Sequence, residues 1–201
     1  MMPQFSRTLT RSTMIAAAAL VAAAAVPAQA VTLYGTTLLG SNESPANAST
    51  ASGTGLLTLA TDQNSFTISE TFTGLSANAA AGHVHCCAAA GSNTGVAIGF
   101  TVPAATSGSF TQSFDLTLGT TYTSAFLAAN TGTAAGARAA FLAGLNGGLA
   151  YLNLHTSTFP GGEIRGQLAV VPEPATWAMM IAGFGMIGTA ARRRARLAVA
   201  A

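Results

Sequence analysis

The stretch that decides the fold is residues 149–168, LAYLNLHTSTFPGGEIRGQL, which reads as two β-strands joined by a tight loop. Polar and apolar residues alternate in both halves, and successive side chains of a strand point to opposite faces. Between the halves, Pro160, Gly161 and Gly162 form a turn signal that can supply positive φ. The sequence therefore predicts a β-hairpin with one apolar face and one polar face.

The predicted register of this hairpin sets polar residues opposite one another in three pairs: His155 with Glu163, Asn153 with Arg165, and Tyr151 with Gln167. The other face is an apolar wall formed by Leu152, Leu154, Ile164 and Leu168. A slip of one residue would exchange the two faces. We expect the apolar wall to be buried and the polar face, including Tyr151, to be half-exposed.

Length and charge limit the classes of protein that the chain can belong to. Its 201 residues allow one modest domain plus targeting segments, and only 7% of them are charged. Arginines cluster at the two ends, so residues 31–170 carry two arginines against five acidic residues, a net charge of −3. This balance gives no electrostatic support for a nucleic-acid partner.

Short alternating runs separated by turn residues predict an antiparallel all-β domain, either a Greek-key or immunoglobulin-like sandwich or a barrel. The predicted strands before the hairpin are residues 31–39, 54–60, 65–73, 82–85, 95–102 and 110–118. Glu70 falls on the apolar face of its strand, so we expect it near a strand end or paired. Alanine and leucine enrichment predicts one short helix over residues 134–145, and residues 120–133 receive no assignment.

The N-terminus has the form of a secretory signal peptide. Arg7 and Arg11 precede thirteen apolar residues, 14–26, and Ala28-Gln29-Ala30 is a small-x-small cleavage pattern. The apolar run is too short to span a bilayer, so we expect a signal helix over residues 1–30 with cleavage after Ala30. The alternative is an uncleaved anchor helix.

The chain's histidines are candidates for a metal site. His83 and His85 are two residues apart on a predicted strand and therefore share a face. His155 and Glu163 lie on the polar face of the hairpin. If the two strands are neighbours, three imidazoles and a carboxylate converge, a ligand set suited to zinc or copper. The alternative is that the histidines make only structural hydrogen bonds.

Other chemistry is sparse. Cys86 and Cys87 are adjacent, which leaves a vicinal disulfide, an intermolecular bridge, two free thiols or a part in a soft metal site as alternatives. The sequence contains no Gly-x-Ser-x-Gly or P-loop motif, and its Gly-x-Gly-x-x-Gly match at residues 183–188 lies inside the uncharged C-terminal run, not between a strand and a helix as a dinucleotide site requires. We therefore expect that the protein is not an enzyme.

Residues 32–170 resemble the CHRD domain, a module named after chordin that also occurs in bacterial secreted proteins. Three landmarks carry the resemblance: Leu39-Gly40-x-x-Glu43-x-Pro45, Gly82-His83-Val84-His85, and YLNLHT at 151–156 followed by PGGEIRGQL at 160–168. The resemblance implies an immunoglobulin-like β-barrel. In the last landmark, Asn153, Gly161, Gly162, Arg165 and Gln167 are expected to shape the hairpin. The chain departs from the pattern after His85, where CCAAA replaces the usual glycine-rich loop.

The C-terminal segment, residues 171–196, has three parts, followed by a short tail, residues 197–201. Pro172-Glu173-Pro174 is incompatible with helix or central strand, residues 175–191 are seventeen uncharged residues, and Arg192, Arg193 and Arg194 open a basic cluster. As a hydrophobic helix the uncharged part is about 25 Å long, barely the thickness of a thin bilayer. The arginine cluster favours a cytoplasmic location for this end of the helix.

This arrangement resembles the PEP-CTERM sorting signal of Gram-negative bacteria, in the variety that continues with Trp177-Ala178. The resemblance implies recognition by an exosortase, a membrane protease or transpeptidase linked to exopolysaccharide production. The alternative is a plain C-terminal membrane anchor.

These observations predict an exported, non-enzymatic β domain. It would pass through an inner-membrane intermediate to the cell surface or extracellular matrix, and act there in adhesion or in the exopolysaccharide matrix. Its expected partners are the exosortase, the membrane before sorting, and exopolysaccharide or surface proteins. The alternative function is a secreted zinc- or copper-binding or redox domain that uses the three histidines.

Overall fold

The computed structural model describes residues 31–172 and 174–199. The predicted signal peptide, Glu173 of the sorting signal and the last two residues of the tail lie outside the described residues. The strands of the described chain, in order, are β1 (Thr32–Leu39), β2 (Ser52–Leu59), β3 (Ser65–Thr73), β4 (Ala79–Cys86), β5 (Val96–Phe100), β6 (Gly108–Asp115), β7 (Ala150–Thr156), β8 (Ile164–Gln167) and β9 (Ala169–Val170).

These strands form one antiparallel sheet that curls into a nearly closed barrel. The strand order is β5-β4-β7-β8-β1-β2-β3-β6, and β9 pairs with β1. The predicted all-β antiparallel class is confirmed, and of the two architectures left open the structure is the barrel. Strand β7 lies between β4 and β8, so the topology sets the histidine-bearing strands side by side.

The period-two pattern of the sequence explains which side chains fill the barrel. In β3, Phe66, Ile68, Glu70 and Phe72 are buried, and the residues that alternate with them point outward. Outward-facing hydroxyls pair across neighbouring strands, as between Thr67 and Ser113 at 2.8 Å and between Ser69 and Thr111 at 3.0 Å. The barrel therefore has an apolar interior and, on this side, a neutral hydroxyl surface.

Two helices lie between β6 and β7: α1 (Ser124–Ala129) and α2 (Ala134–Asn146). Thr123 and Thr133 cap their first turns by accepting hydrogen bonds from backbone N–H groups. Helix α2 closes one part of the core by packing Phe141 on Phe66, with ring centroids 5.5 Å apart. The predicted helix is confirmed as α2 and ends one residue later than expected, whereas the prediction of a single helix in the domain missed α1.

The C-terminal segment forms helix α3 (Pro174–Val199). Met179, Ile181, Phe184 and Met186 are exposed on it. Of the helices that the structure describes, none combines the length and the apolar character needed to cross a membrane.

Candidate functional site

The hairpin has the predicted register. Tyr151 pairs with Gln167, Asn153 with Arg165, and the apolar Leu154 with Ile164. The apolar wall points into the barrel, where each of its residues is fully buried: Leu152, Leu154, Ile164 and Leu168. The polar face points away from the barrel interior.

The polar face is buried too, which corrects the expectation that it is half-exposed. Tyr151 is only 2% exposed and Arg165 only 3%, because two loops cover them. The Arg165 guanidinium donates from Nε to the carbonyl of Asn42 at 2.8 Å and from Nη1 to Oδ1 of Asn93 at 2.8 Å. One side chain of the hairpin thus holds both covering loops, and a compact polar layer forms outside the apolar core.

Aromatic stacking organises this layer. The Arg165 guanidinium lies 4.6 Å from the centre of the Tyr151 ring, and Tyr151 stacks on His85 with ring centroids 4.6 Å apart and an angle of 4° between the rings. Glu43 reaches within 3.9 Å of Arg165. Burial raises the pKa of Glu43 to about 7, although the charge of Arg165 opposes this. The stacking on Tyr151, which is itself held by Arg165, therefore fixes the position of the His85 ring.

The three histidines lie together, as predicted. In the pairing of β4 with β7, His83 is opposite Asn153 and His85 is opposite Tyr151. Nδ1 of His83 is 3.0 Å from Nε2 of His155, and one ring nitrogen from each of the three histidines lies within 4.8 Å of the others. The cluster sits at the edge of the polar layer, with His85 buried and the other two rings half-buried.

Backbone carbonyls orient two of the rings. Nδ1 of His85 donates to the carbonyl of Thr94 at 2.8 Å, and Nδ1 of His155 donates to the carbonyl of Pro160 at 3.0 Å. Because a carbonyl oxygen only accepts, each Nδ1 carries the proton and each Nε2 carries the free lone pair. Within the described chain, the buried Nε2 of His85 has no hydrogen-bond partner.

The surroundings of His83 and His85 favour the neutral form of their rings. Burial, together with the neighbouring His155 and His85 rings, lowers the pKa of His83 to about 4. Burial also lowers the pKa of His85, although its hydrogen bond with Thr94 opposes this. Neutral imidazole is the form of histidine that binds metal ions.

Glu163 does not join the histidine cluster, in contrast to the expectation that its carboxylate converges with the three imidazoles. Its Oε1 accepts from the hydroxyl of Ser49 at 2.8 Å and from the N–H of Ser76 at 2.7 Å. Its Oε2 accepts from the hydroxyls of Ser76 at 2.8 Å and Thr156 at 2.6 Å. Burial opposes ionisation of this carboxyl, but the hydrogen bonds from Thr156, Ser76 and Ser49 outweigh it and lower the pKa of Glu163.

The backbone at the turn explains the different direction of Glu163. Regular pairing ends at Leu154 and Ile164, and the N–H of Glu163 donates to the carbonyl of Leu154 at 2.7 Å instead of continuing the ladder opposite His155. Gly162 supplies this change of direction with a φ of +128°, a backbone conformation that residues with a side chain rarely adopt. The carboxylate consequently shares the face of Thr156.

The cysteines are also separate from the cluster. Cys86 and Cys87 are joined by a disulfide, which selects one of the alternatives that the sequence left open. Their sulfurs lie against Gly144 of α2, at the place that a side chain there would fill. The disulfide therefore has a packing role against the helix.

The predicted sorting signal follows the barrel directly. Pro172 is exposed two residues after the end of β9, and Pro174 begins α3. Ala178 and Arg192 are exposed on α3, and Trp177, Arg193 and Arg194 belong to the same helix. Glu173, the central residue of the motif, lies outside the described residues.

Several residues that build the site were not found from the sequence. The carbonyls of Thr94 and Pro160 orient the histidines, and backbone groups carry no residue signature. Asn42 and Asn93 anchor Arg165 from loops more than 70 residues away along the chain. Only the polar composition of the loop around Asn42 could have indicated that it covers a polar surface.

The described chain is thus a nearly closed antiparallel β-barrel followed by a C-terminal helix that carries an arginine cluster near its end. Residues 34–168 match the family model of the CHRD domain, and residues 170–194 match the PEP-CTERM protein-sorting motif. The chain belongs to the CHRD domain family. None of the curated proteins and none of the solved structures matches it.

The sorting motif marks an exported protein that an exosortase processes. It also supports a membrane-anchored intermediate on the way to the cell surface.

Proposed function

We propose that the protein is a non-enzymatic component of the cell surface or extracellular matrix, acting in adhesion or within exopolysaccharide. The observation that carries this proposal is the arrangement of the two matched segments. The CHRD match ends at residue 168 and the sorting match begins at residue 170, so the barrel is the cargo that the signal delivers. Exosortase is the processing partner.

The surface of the barrel suits a polysaccharide environment. A cleft of about 570 Å³ beside Arg165 is lined mainly by hydroxyl and amide side chains, among them Thr36, Thr37, Ser41, Asn42 and Gln167. Such groups donate to and accept from sugar hydroxyls without requiring charge. Low charge over residues 31–170 also limits repulsion from an acidic polymer.

The hydrogen bonds of the histidines support a non-enzymatic role. Within the described residues, the rings bond to one another and to backbone carbonyls, and none of these bonds reaches a serine hydroxyl or a carboxylate. The most strongly hydrogen-bonded carboxylate, Glu163, is fully buried. A nucleophile, base and acid in contact, as acyl transfer requires, are not among these interactions.

Sorting is tested by changing the motif itself. Pro172→Ala combined with Glu173→Ala should leave unprocessed precursor in the inner membrane. Thr189→Ala on α3 is the matched control and should be processed normally. Normal mobility and surface delivery of the double variant in cell fractionation would count decisively against exosortase processing.

Matrix binding is tested on the cleft. Thr37→Arg places a long side chain at its exposed rim, and Thr120→Arg makes the same change at an exposed residue away from it. We expect the first variant, but not the second, to lose co-sedimentation with exopolysaccharide from the producing bacterium. Equal co-sedimentation of both variants and the unchanged protein would exclude the cleft as the binding surface.

The alternative function, a secreted metal-binding or redox domain, is favoured by one observation, the meeting of three imidazoles outside the barrel. It does not exclude a matrix role, because a matrix protein can also hold a metal ion.

A further inference from the structure

We propose that His83, His85 and His155 form a binding site for one divalent first-row metal ion, which takes Cu²⁺ more tightly than Zn²⁺. This inference goes beyond the surface role and does not depend on it. Three nitrogen ligands and no thiolate match the preferences of both ions. For nitrogen ligands, affinity for Cu²⁺ exceeds that for Zn²⁺.

The first argument is that two rings already have the orientation that metal ligands need. A metal-binding histidine usually donates its other ring N–H to a carbonyl or carboxylate, which fixes the tautomer. His85 does so with the carbonyl of Thr94 and His155 with that of Pro160. Each Nε2 is therefore left as an electron-pair donor facing the cluster.

The second argument is the unused nitrogen. The His85 ring is buried under Tyr151, which fixes its plane, and its Nε2 makes no hydrogen bond within the described chain. Buried polar atoms usually have a hydrogen-bond partner, and this one belongs to a ring whose centroid is 5.6 Å from that of His83 and 6.2 Å from that of His155. A metal ion shared with the other two rings supplies the partner.

The third argument is the spacing of the donors. Two ligands of a tetrahedral ion with bonds of about 2.0–2.1 Å are about 3.3 Å apart. His83 and His155 are at 3.0 Å, close to this value, and the widest separation in the cluster is 4.8 Å. The half-buried His83 ring has no hydrogen bond to a backbone carbonyl among the described residues, whereas His155 is held by Pro160 and His85 by its stacking on Tyr151, so His83 is the ring that adjusts. A modest rotation thus closes the set.

Binding rearranges one proton without releasing it from the protein. In the ligand-free cluster, Nδ1–H of His83 donates to Nε2 of His155, because that nitrogen carries a lone pair. When the metal takes the lone pair of His155, this hydrogen bond is lost. His83 then coordinates through Nδ1 after its proton has moved through water to its own Nε2. Three protein ligands leave a fourth position for water, because two of the rings reach the surface.

The test uses two variants that keep the carbonyl hydrogen bonds. The amide nitrogen of asparagine occupies about the place of Nδ1 in histidine, so His85→Asn and His155→Asn retain a donor to Thr94 or Pro160 and remove Nε2. Gln112→Asn on β6, whose side chain bonds only to the N–H of Thr101 among described residues, is the control. Circular dichroism should show a folded barrel for all three.

Titration calorimetry of the exported, processed protein with CuCl₂ or ZnCl₂ should give one equivalent bound. The copper complex should show coupling to three nitrogen nuclei by electron paramagnetic resonance. Each histidine variant should bind roughly 10–100-fold more weakly, or not at all, while the control binds normally. Unchanged affinity in both histidine variants, or no binding by the unchanged protein below about 1 mM metal, overturns the proposal.

Discussion

Two buried glutamates should respond in opposite ways to the same substitution. Glu163 is fully buried and accepts four hydrogen bonds that tie together the loop at Ser49, the connection at Ser76 and the hairpin. Glu70 is 1% exposed in the middle of β3, and neither of its oxygens has a partner within the described chain. Replacing each by glutamine removes the ionisable carboxyl group and keeps the size of the side chain.

For Glu163→Gln we expect the free energy of unfolding at pH 7 to fall by about 2–4 kcal/mol. A hydrogen bond to a charged group contributes about 1.5–3 kcal/mol, against about 1 kcal/mol for a neutral one. The glutamine oxygen keeps two of the four bonds, and the hydroxyls of Ser76 and Thr156 can turn to accept from its NH₂ group. The loss therefore reflects weaker bonds rather than missing ones.

For Glu70→Gln we expect no loss, or a gain, under the same conditions. Burial raises the pKa of Glu70 to about 8, so the folded protein holds this proton more tightly than the unfolded chain. Stability from this group is then greatest below pH 4.5 and declines as the pH rises towards 8, by up to about 5 kcal/mol at 1.36 kcal/mol per pH unit. The substitution should flatten this decline.

The pH dependence of Glu163 has the opposite sign. Its pKa is lower in the folded protein, so its contribution is present above the unfolded pKa and is lost as the pH falls through the folded pKa. Urea denaturation of the processed protein, followed by circular dichroism from pH 4 to pH 8.5, measures both effects. Equal destabilisation by the two substitutions at pH 7 would refute the assignment of Glu163 as a structural hydrogen-bond acceptor.

Two further predictions concern packing. Leu154→Ala should lower the free energy of unfolding by about 2–5 kcal/mol because it empties a fully buried position, whereas Leu118→Ala, at a half-exposed position, should change it by less than about 0.5 kcal/mol in the same urea series. If Leu154→Ala left the free energy of unfolding unchanged, the apolar wall of the hairpin would not be its buried face. Gly82→Ala should lower the free energy of unfolding by about 1–3 kcal/mol, because the new methyl group meets the ring of Phe100. Gly95→Ala places its methyl group in open space and should leave the free energy of unfolding unchanged. Similar melting temperatures for these two variants would contradict the packing described at β4.

Local patterning explains what could be predicted. The strand at residues 65–73 has the predicted bounds, and the hairpin has the predicted register, because strict alternation leaves only one way to bury the apolar wall. The shared face of His83 and His85 follows from the same parity. Their closeness to His155 was predicted on the condition that the strands are neighbours, and the pairing of β4 with β7 meets that condition.

Long-range contacts explain what could not be predicted. The polar face was predicted to be half-exposed because the alternation of residues in a strand says nothing about loops. The two loops that cover Arg165 contain Asn42 and Asn93, which accept hydrogen bonds from it. Strand parity predicted that Glu163 shares the face of His155, but the backbone turns at Gly162, just before Glu163, and directs its side chain elsewhere. Glu70 was expected near a strand end or paired, and it is neither.

The most direct test of the account is the intact mass of the protein released from the cell surface. In a strain with its exosortase, we predict a chain that begins at Val31 and lacks the arginine-rich end, cut at or near Pro172-Glu173-Pro174. When the exosortase is deleted, we predict a longer species that is retained in the inner membrane. A surface form that still carries Arg192–Arg194, or identical masses in the two strains, would contradict it.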